Sequence, residues 1–288
     1  MKKATIIILN WNRWELTRDC LNSLRENTDY ADYEVIVVDN GSTDGSAGKI
    51  KKEFPGARLI ANKKNLGFAA ANNQGFKAGK GEYFFMLSND TILTKGWLTN
   101  AVKVMESGAR IGVVGCEEVT NLDDFRAGRY GKGEDRDALT VSGATMLIKR
   151  EVIENVGMLD EKEFSPAYGE ESDLNYRARN SGYRIVQTYK SSIMHYGGKS
   201  SSQLGKEKQY VLANTNRLKA MLYNLALPDL LRHVPGLGLI FVNSVREGRA
   251  HFLLGTYWAN IKNLRRILDE RKKRFARAGE IRRKIFGE

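Results

Sequence analysis

Four places in this 288-residue sequence combine residue types that do chemistry. Asp39 and Asp90 each follow an apolar run, residues 34–38 and 82–87, so each carboxylate stands at the edge of a buried strand. There Asp39 can accept a hydrogen bond from a base N–H or a ribose hydroxyl. Asp90 can hold a divalent cation through its oxygens, the counter-charge that a pyrophosphate needs. The third place is Tyr168-Gly-Glu-Glu-Ser-Asp-Leu-Asn-Tyr-Arg177, where Glu170, Glu171 and Asp173 cluster just before a helix. A carboxylate beside another can have a raised pKa and act as a general base. The fourth is His195, one of three histidines, in a loop after a strand; imidazole is a common metal ligand. Each has a plainer competitor: an aspartate caps a turn, acidic residues at a helix start favour its dipole, and a lone histidine is ordinarily structural.

The elements that must position these groups alternate between strand and helix over the first hundred residues. Residues 4–9 form a β-branched run suited to a strand buried on both faces. After Asn10-Trp-Asn-Arg13, Leu16, Cys20, Leu21 and Leu24 recur at helical spacing. A second buried strand, 34–38, ends in a turn that opens a helix, with Ser42, Thr43 or Asp44 as its cap. Pro55-Gly56 stops that helix, residues 57–61 make a third strand, a small-residue helix runs to Gly79-Lys-Gly81, and 82–87 make a fourth strand. This alternation predicts a parallel sheet with right-handed crossovers. Ligands bind such sheets outside the carboxyl ends of the strands, where residues 10–13, 39–44, 64–67 and 88–91 converge. Further on, a strand is predicted over 140–149, a helix over 172–181, a short strand over 183–188 and a glycine- and serine-rich loop over 197–205. From about 207 the chain reads as helical, with Leu253, Tyr257, Ile261, Leu264 and Leu268 as one apolar stripe on the last long helix.

Composition narrows the class. With 42% hydrophobic and 28% charged residues the chain is globular, not disordered or collagen-like. Two cysteines without a Cys-x-x-Cys exclude a disulfide framework and a cysteine zinc site. The first apolar run is too short for a signal peptide. The longest later one, residues 234–245, falls short of the about 20 residues a membrane-spanning helix needs, so an intracellular protein that does not cross a membrane is expected. Of the net charge of +12, residues 246–288 carry a surplus of eight, a basic tail that suits nucleic acid, anionic lipid or plain solvation. No Gly-x-Gly-x-x-Gly or Walker lysine follows the first strand, which disfavours a Rossmann dehydrogenase and a P-loop NTPase. A sugar nucleotidyltransferase would open with a glycine-rich basic loop where Asn10-Trp-Asn-Arg13 stands. A nucleic-acid binder would spread basic and aromatic residues over a platform, whereas the basic excess here lies in the tail.

The chain resembles the family-two glycosyltransferases of GT-A fold, in particular their rhamnosyltransferase-like branch. The matching stretches are Ile6-Ile-Ile-Leu-Asn-Trp-Asn12, Val37-Val-Asp-Asn-Gly-Ser-Thr-Asp-Gly-Ser46, Asn65-Leu-Gly-Phe-Ala69, Ser88-Asn-Asp-Thr91, Tyr168-Gly-Glu-Glu-Ser-Asp-Leu174 and His195-Tyr-Gly-Gly198. The resemblance implies an α/β GT-A-like nucleotide-binding domain with a mostly parallel sheet over residues 1–205; residues 206–288 lie outside it and are expected, from their own pattern and charge, to form a basic helical extension. It implies an inverting, metal-dependent transfer of a sugar from a UDP-, dTDP- or GDP-linked donor to the hydroxyl of a glycan or lipid-linked glycan, with no nucleic acid involved. Asn10, Trp11, Asn12, Asp39, Asn40, Gly41, Asn65, Gly67, Asn89 and Asp90 would form the nucleotide-sugar side. Asp90 and His195 would hold Mg²⁺ or Mn²⁺, with Ser88 standing where the family has a further aspartate. Glu171, with Glu170 beside it, falls where the family places its catalytic base. The expected location is cytoplasmic. An amphipathic surface helix drawn from Phe252, Leu253, Leu254, Tyr257 and Trp258 with the neighbouring lysines and arginines allows peripheral contact with the inner face of the cell membrane.

Overall fold

The computed structural model describes residues 3–197 and 205–288. The predicted alternation is present: β1 (Ala4–Asn10), α1 (Trp14–Asn27), β2 (Tyr33–Asp39), α2 (Ser46–Glu53), β3 (Arg58–Ala61), α3 (Phe68–Ala78) and β4 (Tyr83–Ser88) follow one another. Then come β5 (Thr91–Leu93), α4 (Trp97–Glu106), β6 (Ile111–Val119), α5 (Leu122–Arg126), β7 (Arg136–Asp137), β8 (Thr145–Lys149), α6 (Arg150–Val156), α7 (Glu170–Asn180) and β9 (Arg184–His195). The helices α8 (Lys206–Asn224), α9 (Leu227–Arg246), α10 (Ala250–Lys262) and α11 (Leu264–Phe286) complete the chain.

Among the described residues the strands join in one sheet of order β3-β2-β1-β4-β8-β6-β9-β5, with β7 beside β9. The β3-β2-β1-β4 half is parallel. β8 runs antiparallel between β4 and β6, and β5 antiparallel to β9. Alternation along β1 divides the core. Ile6 and Ile8 pack with Cys20, Leu24 and Trp97 on one face, and Ile7 packs with Ala71, Phe76 and Val152 on the other. Each fully buried aliphatic or aromatic side chain contributes about 1.5–3 kcal/mol, so the β-branched run has one stable home, the sheet centre.

Several boundaries differ from expectation. The strand expected over 140–149 is β8 alone, because Ser142-Gly143-Ala144 turns and the Ala144 carbonyl accepts from Ser88 N at 2.9 Å. The strand expected over 183–188 runs on to His195 as β9, bulging against β6 between Gly115 and Glu117. His195 therefore ends a strand, paired with Thr91, and does not sit in a loop. α7 starts at Glu170, so Glu170 and Glu171 lie inside its first turn. The expected last long helix breaks at Asn263, whose side chain donates to the Ala259 carbonyl at 2.8 Å. The buried positions there include Leu253, Thr256, Asn260 and Ile267, while Ile261, Leu264 and Leu268 face outward; the expected stripe is thus mostly exposed. The loop expected over 197–205 lies, apart from its two end residues, outside the described residues, as does Gly198.

The C-terminal helices pack on the preceding residues. Ile281 joins the core beside Val156 and Leu174. Phe164 and Tyr176 pack with Ala220, Tyr223 and Ile267. Arg274 on α11 pairs with Asp160 at 2.9 Å and with buried Asp173, which also takes Arg177 at 2.8 Å and Asn224 at 2.8 Å. Asp173 thus faces away from the other two acidic residues of its motif and holds α7 to α8 and α11.

Candidate active site

A cavity of about 390 Å³ opens at the carboxyl ends of β1 and β4, walled by the α7 start and by α8. Trp11, Asn40, Asn65, Gly67, Asn89, Asp90, Glu170, Glu171 and His195 all line it. Four residues named from the sequence do not. Asn10, fully buried, donates to Asp39 Oδ1 at 2.6 Å and to Ser42 Oγ at 3.1 Å, and accepts from Thr17 Oγ1 at 2.6 Å. Asp39, 2% exposed, also takes the Ser42 hydroxyl on Oδ1 at 2.5 Å and the Ser42 amide on Oδ2 at 3.2 Å. Asn12 accepts the Thr43 amide at 2.9 Å. Gly41 has φ +78°, and a Cβ there would stand 2.5 Å from the Lys64 carbonyl carbon. These four clamp the 10–13, 39–46 and 62–67 segments to one another, because strand ends meeting at a crevice leave polar groups that must find partners. None of the three candidate caps is the N-cap of α2, which is Gly45 in a left-handed conformation; Asp44, one residue before it, accepts Ser46 N at 3.0 Å.

The lining residues are themselves braced. Asn40 donates to Asn65 Oδ1 at 2.9 Å and the Gly67 carbonyl at 3.2 Å, and accepts from Asn62 at 3.1 Å and Leu66 N at 3.0 Å. Gly67, at φ +90°, passes so close to Pro166 that a Cβ would stand 2.9 Å from its carbonyl oxygen. Asn89 donates to Thr17 Oγ1 at 2.8 Å.

On the cation side, Asp90 is 2% exposed; its Oδ1 accepts from Ser88 Oγ at 2.5 Å and lies 3.2 Å from His195 Nε2. The Asp90 carbonyl also accepts Tyr196 N at 3.0 Å, so the β5–β9 pairing fixes the two side chains together. The other imidazole nitrogen, Nδ1, meets Glu118 Oε2 at 2.9 Å, and Thr145 Oγ1 donates to Glu118 Oε1 at 3.0 Å. Burial alone would lower the His195 pKa, but Asp90 and Glu118 bracket the ring and raise it to about 10. Burial pushes Glu118 up, and the hydrogen bond and charge of His195 outweigh it and hold Glu118 below the usual range. Both ring nitrogens therefore face carboxylates; a cation at Nε2 would have to replace the proton there, with Glu118 orienting the ring through Nδ1. Among the described residues no cluster of three or more His, Cys, Asp or Glu surrounds a metal position. Asp90 and His195 could by themselves supply at most two ligands to a hard divalent cation, the remainder having to come from a bound substrate or water.

Across the cavity, Glu170 is 3% exposed and its Oε2 has no hydrogen-bond partner among the described residues. Burial first, and the Glu171 charge second, raise its pKa well above the ordinary carboxylate value. Glu171 is half-buried, accepts from Ser172 Oγ at 3.1 Å, and rests on Gly143. Sequence reasoning missed Glu118, although Glu117-Glu118 closes an apolar run just as Asp39 and Asp90 do. It also missed Ser142-Gly143-Ala144 and Arg217 of α8, which carry no local signal and reach the cavity only through chain reversal and helix docking.

The chain matches the family model described as glycosyl transferase family 2 over residues 5–157. It is similar to the poly(ribitol-phosphate) β-N-acetylglucosaminyltransferase TarP of Staphylococcus aureus, at 28% identity over 72% of this chain and 67% of that protein. It is also similar to the O-antigen biosynthesis protein RfbC of Myxococcus xanthus, at 26% identity over 67% of this chain. The chain spans only 17% of the length of RfbC and 24% of an uncharacterised Sinorhizobium fredii protein that it also matches. Among solved structures, the mannosyltransferase PcManGT of Pyrobaculum calidifontis, in complex with GDP-Man and Mn²⁺, superposes with a TM-score of 0.65 at 19% identity, covering 98% of this chain and 87% of that one. At that identity the likeness is one of GT-A fold.

Proposed function

Because the chain belongs to glycosyl transferase family 2, we propose that it moves a sugar from a nucleotide-diphosphate donor to an acceptor hydroxyl, inverting the anomeric centre and requiring a divalent cation. The observation that carries this reading is the convergence, on one cavity of about 390 Å³, of the Asp90–His195 pair with the Glu170–Glu171 pair. That volume lies within the ~300–1,000 Å³ range of small-molecule sites.

On this reading the nucleoside sits by Trp11, Asn40, Asn65 and Gly67, with Asn10, Asn12, Asp39 and Gly41 holding those segments in place. Asp90 and His195 would hold Mg²⁺ or Mn²⁺, with Glu118 bracing the imidazole through Nδ1. When bound, the cation offsets the charge that builds on the departing diphosphate. Burial, and then the neighbouring Glu171, favour the protonated form of Glu170. Glu171 takes the acceptor proton as the oxygen attacks the anomeric carbon, which in a single displacement gives inversion. General-base help of this kind is worth roughly a hundred- to ten-thousand-fold in rate. The donor is a UDP-, dTDP- or GDP-sugar, and the acceptor a glycan or lipid-linked glycan. We further propose that residues 1–205 carry the chemistry and that 206–288 extend them, Arg217 adding to the cavity wall. The enzyme then works in the cytoplasm with peripheral contact at the membrane, and nucleic acid plays no part.

The test is a thermal-shift panel of uridine, thymidine and guanosine diphosphates and their sugars, with and without Mn²⁺. A ligand at a hundred times its Kd adds about 2.7 kcal/mol of stability. The expected result is stabilisation by one base class that needs the cation and is lost in Asp90→Ala; a panel in which no nucleotide stabilises the protein refutes the proposal.

A further inference from the structure

α9 takes no part in the cavity, and of its 20 residues only Ser244 is buried. From Val234 to Val245 it carries no charged side chain, yet Leu239 is 62% exposed, Val234 56% and Val245 54%, with Ile240, Phe241 and Val242 exposed between them. Apolar surface of this extent marks an interaction site. The helix is nonetheless fixed in place: the Tyr210 and Ser244 hydroxyls are hydrogen-bonded, and the Arg249 guanidinium lies 5.5 Å from the Tyr210 ring. The surface continues sideways, since Leu227 shares a groove with Leu268 and Phe275 of α11.

Three features select the partner. Arg265, Arg271 and Lys272 outnumber Asp269 in the lining of that same groove, and residues 246–288 hold eight of the chain's twelve surplus positive charges. A second copy would set two basic rims against each other, whereas an anionic surface complements them. Next, exposed aromatic rings carry cations beside them, Lys262 Nζ at 5.4 Å from Trp258 and Arg271 at 4.9 Å from Phe275. Such pairs suit a boundary where one side is apolar and the other wet. Finally, the uncharged run spans about 18 Å, short of the ~30 Å hydrocarbon core. No helix among the described residues is long and apolar enough to cross a membrane. Such an uncharged run can rest in the plane of the interface only with the basic residues of α10 and α11 beside it as the charged side that an interfacial helix needs.

We infer that α9, with the outward faces of α10 and α11, seats the protein on an anionic bilayer surface. Its apolar side chains enter the acyl boundary and the arginines and lysines meet the headgroups. The inference deepens the proposed transfer and rests on it for one point only, that the acceptor is carried on a lipid. α8 connects the two regions, because Tyr210 holds α9 while Arg217, seven residues further along, reaches the cavity.

Flotation of the full chain with vesicles of phosphatidylcholine, alone or mixed with phosphatidylglycerol, tests the seating. The expected result is binding to the mixed vesicles that weakens at least about tenfold in Leu239→Ser/Phe241→Ser/Val242→Ser, although every basic residue is retained. Leu239→Glu, a single surface change, serves as second variant if the triple one melts early. No flotation of the parent, or unchanged flotation of a folded variant, overturns the inference. So does a sedimenting dimer that the variant dissolves while the parent fails to float, which gives the face to a second copy. Nucleotide-dependent stabilisation is measured on the same samples without lipid. If it persists while flotation fails, the seating falls and the transfer stands; the opposite pattern overturns the transfer and leaves the seating.

Discussion

Replacing Glu170 and Glu171 one at a time by glutamine separates a proton holder from a proton acceptor, although the two are adjacent in sequence and share a cavity. Glu170 is raised by burial and then by the Glu171 charge, and its Oε2 finds no donor among the described residues. Glutamine, neutral and nearly the same shape, imitates the protonated form that burial favours, so Glu170→Gln should retain most of its transfer. Glu171→Gln removes the base and should lower kcat by roughly a hundred- to ten-thousand-fold, or about 3–5 kcal/mol of barrier, with cation-dependent nucleotide binding intact. Stability gives a second readout with a definite sign. The folded chain keeps a proton on Glu170 that the unfolded chain releases above about pH 4.3. Parent stability should therefore decline as pH rises from there through the raised folded value, and Glu170→Gln should flatten that decline. Chemical denaturation across that window and a donor-consumption assay measure both effects. A Glu170→Gln variant that loses transfer while Glu171→Gln turns over near normally would exchange the two roles and refute the reasoning.

Glu118→Ala removes the partner of His195 Nδ1 (2.9 Å) and should weaken Mn²⁺-dependent nucleotide affinity by about ten- to a hundredfold, with partial recovery in Glu118→Gln; calorimetric titration with unchanged affinity would show that the ring needs no orienting. Asp173→Asn leaves Arg177 and Arg274 facing a neutral side chain in a buried network and should cost about 3–5 kcal/mol in denaturant titrations. Burial pushes Asp173 up, but the two arginines outweigh it and hold it below the usual range. Its contribution is thus present above about pH 3.9 and lost as pH falls through the lower folded value. Gly41→Ala forces a Cβ to within 2.5 Å of Lys64 at φ +78° and should destabilise by about 1–3 kcal/mol, lowering the melting temperature without changing which nucleotide binds; a melt equal to the parent's would show that the two loops can part freely.

What was legible in the sequence was local. The runs that became β1, β2 and β4 bury residues on both faces, Asp39 ends β2 and Asp90 stands in the turn just past β4, so strand, turn and polar strand end could all be read in order. The antiparallel insertion of β8 could not, because Ser142-Gly143-Ala144 reverses the chain inside a stretch whose composition still reads as strand. Nor could the length of β9, which pairing with β6 and β5 extends to His195.

For the site, residue types pointed to the acidic and histidine groups, but tertiary contacts sorted them. Asp39 and Asn10 spend their hydrogen bonds on each other and on Ser42 and Thr17, Asp173 turns to α11, and Asp90, His195, Glu170 and Glu171 face the cavity. Glu118 and Arg217 enter only through pairing and helix docking. The physical reason is range. Hydrophobic period and turn chemistry act over a few neighbouring residues, whereas burial and partner choice depend on groups more than seventy positions apart, such as Glu118 and His195, that meet only when the whole chain has packed.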